Sequence, residues 1–309
     1  MTRRTSLGLA GACCVALLGA ACGGPGPAPS VSVGPAPVRT PTSPAPVTTP
    51  AQVPSDRDFD PAKFSNSTTV TNPYFPLNPG TRFTWKGHAF DDGERVDRAI
   101  EFTVTDMTKV VDGVRTVVAW DRDFTDGELE EIELAFFAQD DAGTVWFFGE
   151  YPEEVEGKKI VKSPLWLAGL RKARPGIMMH SGPRAGTPDY AEGWGGTDVD
   201  WTDRGKVDKV GAKNCVPTGC YTDVVVIDEF SREEPGKHQL KYYAPSVGGI
   251  RTGWRGAKED EKEELALVSL EHLNASQVKS VRKSVLDQEA RAYERHPDVY
   301  GKTEPMEKT

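Results

Sequence analysis

Leu134-Ala135-Phe136-Phe137-Ala138-Gln139-Asp140-Asp141-Ala142-Gly143-Thr144-Val145-Trp146-Phe147-Phe148 reads as two aromatic strands joined by a tight turn. In a strand, consecutive side chains point to opposite faces. Phe136-Phe137 and Trp146-Phe147-Phe148 therefore place aromatic rings on both faces of one sheet. A sheet that is apolar on both faces needs cover on each. We expect one face to meet the loop-rich middle of the chain and the other to line a hollow. Trp120, Phe136, Trp146 and Phe148 are the candidates for a ligand pocket, although most of these rings are expected to serve as core.

The same period of two extends outward. Phe83 and Trp85 alternate with Arg82, Thr84 and Lys86. Ile100, Phe102 and Val104 alternate with Glu101 and Thr103, and Val114, Thr116, Val118 and Trp120 with Arg115 and Val117. Asp112-Gly113 between two such runs is a hairpin signal, and Asp92-Gly93 and Asp126-Gly127 mark further turns. The segment from Pro152 to Lys213 is rich in glycine and proline and is expected to form ordered loops or short helices. Strand patterns resume at Thr222 to Phe230, Gln239 to Tyr243, Ile250 to Trp254 and Glu264 to Leu270. After Leu273, Val278, Val281, Val285 and Ala292 fall at helical spacing, with Asn274 as the expected cap. That apolar stripe is narrow, which predicts a helix lying loosely on the domain and then a disordered tail. The expected fold is mainly β: one antiparallel meander domain, a curved sheet or half-barrel, with a loop-rich middle insertion and a C-terminal helix.

The N-terminal end reads as a targeting segment. Arg3 and Arg4 precede an apolar run from Leu7 to Ala21 that is too short to span a bilayer. Thr2-Arg3-Arg4-Thr5-Ser6-Leu7 also looks loosely like a twin-arginine signal, so the export route stays open. Gly19-Ala20-Ala21 leads into Cys22, which resembles a lipobox. The pattern prefers Leu where Gly19 stands, with Leu18 one step back. From Cys22 the chain runs through Pro27, Pro29, Pro35, Pro37, Pro41, Pro44, Pro46 and Pro50, a composition that cannot bury a core and suits an extended tether. The organisation expected is a signal peptide over 1–21, a lipidated cysteine and tether over 22–56, a β-rich domain over 57–273, and a helix with tail over 274–309. The protein is expected at the cell membrane, lipid-anchored on the extracytoplasmic face. Its formal charge of -9 argues against nucleic acid as a partner.

Cys215 and Cys220 are the two cysteines of the folded part. Outside the membrane such a pair oxidises, and Pro217 and Gly219 favour the turn between them. Half of a zinc site is the rival reading, but no CxxC or HxxxH partner exists. The sequence carries no GxSxG, HExxH, Walker loop or GxGxxG. Five histidines are scattered. His88 beside a turn and His296 in the tail are expected in solvent. His180 and His238 are weak candidates for a metal or base role, and His272 has no distinguishing context. Asp121-Arg122-Asp123-Phe124-Thr125-Asp126-Gly127 resembles a calcium loop, but the spacing is off by one and Ile132 stands where a Glu ligand belongs. It is read as a polar hairpin turn. Glu128, Glu130, Glu131 and Glu133 are read as a solvated strand edge. No cofactor is expected.

Asn72-Pro73-Tyr74-Phe75-Pro76-Leu77-Asn78-Pro79-Gly80-Thr81 resembles the opening of a family of secreted actinobacterial lipoproteins to which no activity is attached. Further matches are Phe137 to Glu150, Ala173 to Met179, and Lys241 to Ile250, in the family order. The resemblance covers about Asn72 to Leu270. Ser246 departs from it, standing where glycine is expected, and puts that turn's geometry in question. More loosely, the layout is similar to envelope proteins with a half-barrel sheet, some of which bind lipid on the concave face. Read from the residues alone, Pro73, Pro76, Pro79 and Pro245 are architectural. The function expected is a non-enzymatic surface lipoprotein binding an apolar or cell-envelope ligand, or another envelope protein. The alternative is an extracellular hydrolase acting on cell-wall or polysaccharide material through paired carboxylates. A purely structural module is not separated from the first reading by sequence.

Overall fold

The computed structural model describes residues 55–309. The signal segment, Cys22 and nearly all of the proline-rich stretch lie outside the described residues. Five long strands open the domain: β1 (Thr81–Asp91), β2 (Glu94–Val111), β3 (Val114–Thr125), β4 (Glu128–Gln139) and β5 (Val145–Glu156). Asp92-Gly93, Asp112-Gly113 and Asp126-Gly127 join the first four, each with positive φ at both positions. That is the twist a two-residue hairpin needs. Short strands follow: β6 (Lys159–Lys162), β7 (Trp166–Leu167), β8 (Arg174–Met179), β9 (Tyr190–Ala191) and β10 (Gly193–Trp194). A second long series comprises β11 (Arg204–Val216), β12 (Gly219–Phe230), β13 (His238–Ala244), β14 (Gly248–Arg255) and β15 (Glu264–His272). The helix α1 (Ala275–Arg295) and a final strand β16 (Glu307–Lys308) complete it.

All strands belong to one antiparallel sheet whose order is β10-β8-β5-β4-β3-β2-β1-β15-β14-β13-β12-β11-β9. Its two ends are β10 and β9, which are neighbours in sequence with only Glu192 between them. The segment Tyr190–Trp194 pairs with β11 on one side and β8 on the other. It therefore bends the sheet into a nearly closed barrel. Two glycines permit the join. A Cβ on Gly176 would collide with the Glu192 backbone, and one on Gly193 would collide with the Trp166 ring.

β11 is a long strand that lies mostly inside the stretch, Pro152 to Lys213, that the sequence assigned to loops. Its pairing with β12 shifts register three times, and its Lys206, Lys209 and Lys213 are exposed. Bulges and solvated charges erase the apolar alternation by which strands are read. Cys215 and Cys220 face each other at the end of this hairpin and form the expected disulfide.

Closure gives the sheet an inner and an outer core. Phe83, Val104, Val117, Ala119, Phe137, Phe147, Trp201, Ile227 and Leu267 pack inside. Met107, Val118, Trp120, Phe136, Trp146, Phe148 and Tyr151 pack outside, against Val281, Val285 and Ala292 of α1 and against Tyr300 and Met306 beyond it. Asn274 caps α1 as expected, accepting from the Ser276 and Gln277 amides. The helix is not loose, because polar side chains extend its narrow stripe. Gln288 is fully buried; it accepts from Trp120 Nε1 at 3.0 Å and donates to the carbonyls of Ile132 and Tyr151. The tail is ordered too. It returns to the sheet, where β16 pairs with β2.

Lys109 of β2, with no exposed surface, fixes this return. Its Nζ donates to Glu289 at 2.9 Å and to the Glu304 carbonyl at 2.7 Å, and lies 4.2 Å from the centre of the Tyr300 ring. Glu289 also accepts from the Met306 amide at 3.0 Å. Removing one partner strands the other charge in the interior. Lys109→Ala should cost about 3–5 kcal/mol, read as a drop in the denaturant midpoint. A loss under 1 kcal/mol would show that the helix is held by its apolar stripe alone.

The Ser246 turn keeps its shape without glycine. Ser246 sits at φ 64°, and its amide donates to the Pro73 carbonyl at 2.7 Å, tying the turn to the Asn72–Thr81 segment. A left-handed conformation costs an L-residue about 1–2 kcal/mol, and glycine avoids it at a lesser entropic cost. Ser246→Gly should therefore stabilise the domain by about 0.5–1 kcal/mol, measured by chemical denaturation; unchanged or lower stability would show that the strain is relieved locally.

Candidate functional site

The inner face of the barrel does not fill with side chains. It encloses a partly open cavity of about 570 Å³. One part of its wall is aromatic. Phe137 sits at the centre, with Phe147 stacked on it at 4.9 Å and Phe75 and Phe102 at 5.3 and 6.2 Å. Trp85, stacked on Phe83, continues this wall, its indole held by the Gly249 carbonyl at 3.1 Å. Phe75, Pro76 and Leu77 come from the segment read as architectural, and here they also line the cavity. Asn72 secures that segment by donating to the carbonyls of Gly143 and His180.

The remaining wall is acidic. Asp121 and Asp123 of β3, Glu131 and Glu133 of β4, and Glu150 of β5 point inward, as do Glu192, Asp203 and Glu229. The pleat explains the first four. They are the odd-numbered residues that continue the inward rows of Val117 and Ala119 on β3 and of Ala135 and Phe137 on β4. Asp121 stands opposite Glu133, Asp123 opposite Glu131, and Glu131 opposite Glu154. Like charges directly across a ladder destabilise a sheet. Glu131 and Glu133 are thus not an exposed edge, since β4 lies between β3 and β5. Asp121 and Asp123 are cavity groups rather than members of a turn.

Few cations answer them. Lys241 Nζ lies 3.8 Å from Glu229, and Arg98 reaches Asp123, Glu130 and Glu263 at 3.1, 3.1 and 3.5 Å. Burial, reinforced by neighbouring carboxylates, raises the acids well above their usual range: Asp203 to about 7, Asp123 and Glu150 to about 8. Burial with Glu150 beside it raises Glu133 well above its ordinary value. Against the effect of burial, the carboxylates of Glu229, Glu263, Glu192 and Asp123 hold the Lys241 ammonium above its ordinary value.

The four aromatics selected from the sequence lie elsewhere. Trp120, Phe136, Trp146 and Phe148 stand on the outer face, and none lines the cavity. Trp120 is fixed by Gln288, Trp146 donates to Asp140 at 2.9 Å, and Phe148 packs on Phe59 and Phe64. The cavity wall is their one-residue offset, Phe137 and Phe147. Alternation identified two faces but could not tell inside from outside. The inward acids were missed because an acidic alternation ordinarily marks a solvated face.

The histidines do not gather. His180 is buried against Tyr190 at 4.5 Å, and burial lowers it to about 4. His238 pairs with Asp228 at 2.8 Å, and His272 with Thr81 at 3.3 Å. His88 is half-buried against Phe90. His296 is not a solvated tail residue: it bonds Ser163 at 3.0 Å and packs on Tyr151.

Fold and cavity together define a β-barrel-like module with a ligand-sized interior, aromatic on one side and acidic on the other. No family model matches the chain, and neither does any curated protein. Among solved structures it is similar to a Bacteroides fragilis protein assigned as exported, with a YmcC-like fold: TM-score 0.38, 11% identity, 64% of this chain and 98% of that one. It is also similar to a protein from Parabacteroides distasonis assigned as a lipoprotein: TM-score 0.35, 11% identity, 65% of this chain and 99% of that one. Likeness at that level carries no argument about function.

The raised carboxyls set a pH dependence. The folded barrel holds protons that the unfolded chain has already released, so their contribution is present below the ordinary carboxylate range and lost as pH rises through 7 to 8. The melting temperature should therefore fall between pH 5 and pH 8.5. Glu133→Gln removes one of these acids and should flatten the fall and raise the melting temperature at pH 8.5. A flat wild-type profile would mean that the acids are compensated within the fold.

Proposed function

We propose that this chain is a non-enzymatic, surface-anchored lipoprotein that holds an apolar or cell-envelope ligand inside its barrel. The observation that carries the reading is the 570 Å³ cavity with the Phe137 wall, a size within the range typical of ligand sites. Phe75, Trp85 and Phe102, half-buried along this wall, leave apolar surface that a ligand would cover. The disulfide agrees with an oxidising compartment outside the membrane. Anchoring through Cys22 rests on the lipobox-like sequence that precedes it, and the membrane is then reached through the lipid rather than through the folded domain. Among the described residues no helix is long and apolar enough to cross a membrane.

A second reading, hydrolysis of cell-wall or polysaccharide material, draws on the same acids. A general acid must hold its proton near neutral pH, and burial lifts Glu150 to about 8. One preparation separates the two. Protein extracted gently from its native membrane should carry a bound small molecule or lipid in native mass spectrometry, and Phe137→Asp should lose it. A clean apo mass with no stabilisation across a lipid panel would sink the binding reading. Turnover of purified cell-wall polysaccharide, abolished by Glu150→Gln, would favour the second.

A further inference from the structure

The acidic wall remains unexplained by an apolar ligand. Eleven acidic side chains and three basic ones line the cavity, so Lys241 and its fellows cannot neutralise the set. Three cross-strand pairs set one acid opposite another in the ladder, and Lys162 and Arg98 answer only Glu154 and Asp123 among them, an arrangement that neutral residues of similar size would improve for folding alone. Two of the acids also have atoms with nothing to bind. Glu192, only 4% exposed, has no hydrogen-bond partner for Oε1 among the described residues, and neither does Oδ2 of Asp203, 9% exposed. Both residues face the cavity. A buried polar atom left unmatched costs about 1–3 kcal/mol, and a positive charge in the cavity beside these two carboxyls would offset part of it.

A single metal ion does not fit this arrangement. Among the described residues, the only group of three or more ligating side chains close enough together to hold one is Glu259, Asp260 and Glu261, and none of these lines the cavity. The inward acids are spread over several strands, and no three of them gather that closely. A bulky organic cation meets many carboxylates at once without tight coordination, and the faces of aromatic rings attract it as well.

We infer that the barrel takes an amphipathic organic cation, its ammonium head among the inward carboxylates of β3, β4 and β5 and its apolar body against the Phe137 wall. This rests on the reading of the cavity as a ligand site and adds the sign of the head group.

Three probes with the same dodecyl chain test it, each used below its micelle-forming concentration: dodecyltrimethylammonium, the uncharged tetraethylene glycol monododecyl ether, and dodecyl sulfate. Calorimetry with the intact domain at pH 8.5, where Asp123 and Glu150 are mostly ionised, should show the cation binding at least tenfold more tightly than the uncharged ether, and the sulfate most weakly. Glu133→Gln combined with Glu150→Gln should remove that preference while leaving affinity for the ether within about twofold. These substitutions relieve like-charge repulsion, so a melt at pH 8 should show the variant as stable as the parent or more so, and a lost preference is then not a folding defect. Equal affinity for cation and ether, or a preference that survives the double substitution, overturns the inference and leaves the apolar cavity standing. Failure of all three chains to bind overturns both.

Discussion

Five residues, Tyr190–Trp194, hold the architecture together. They pair with one end of the sheet through β9 and with the other through β10. Without this join the sheet would be an open meander with two free edges, a state that invites pairing with other chains. With it, every long strand acquires an inside and an outside. Two glycines make the join sterically feasible, Gly176 against the passing backbone and Gly193 against Trp166. Glu192, the residue at the joint itself, turns its carboxyl into the cavity.

The two faces are covered by different means. Outside, α1 and the tail bury aromatics through a few buried polar contacts, chiefly Gln288 and the Lys109–Glu289 pair. Such contacts fix where a helix lies more sharply than an apolar stripe does, because a misplaced helix leaves each polar group unmatched. Inside, the chain does not supply enough side-chain volume to fill the barrel, and the Asn72–Thr81 segment contributes Phe75, Pro76 and Leu77 to the wall. The outer face is therefore complete by itself, whereas the inner face is not.

That contrast bears on the acids. Charges buried together in a protein are stabilised by partners, by protons or by a ligand. Arg98 and Lys241 answer only some of the inward carboxylates, and protons held by the raised acids answer others. Stability is thus set against the chemical character of the cavity, as is common where a fold retains a strained or under-compensated site for use.

Much of this is legible in the chain. Alternation marked the strands of the first meander, Asp-Gly dipeptides marked their turns, Asn274 marked the start of the helix, and the spacing of Cys215 and Cys220 marked the bridge. These are local properties, set by a residue and its near neighbours. The sequence by itself determined an antiparallel β domain with aromatics on two faces and a helix behind it. Tertiary structure alone decided which face is the interior, because the period of two is symmetric and only the closure at Tyr190–Trp194 breaks that symmetry. For the same reason it decided that Phe137 and Phe147, not Phe136 and Phe148, line the cavity, and that Glu131 and Glu133 face inward rather than into solvent.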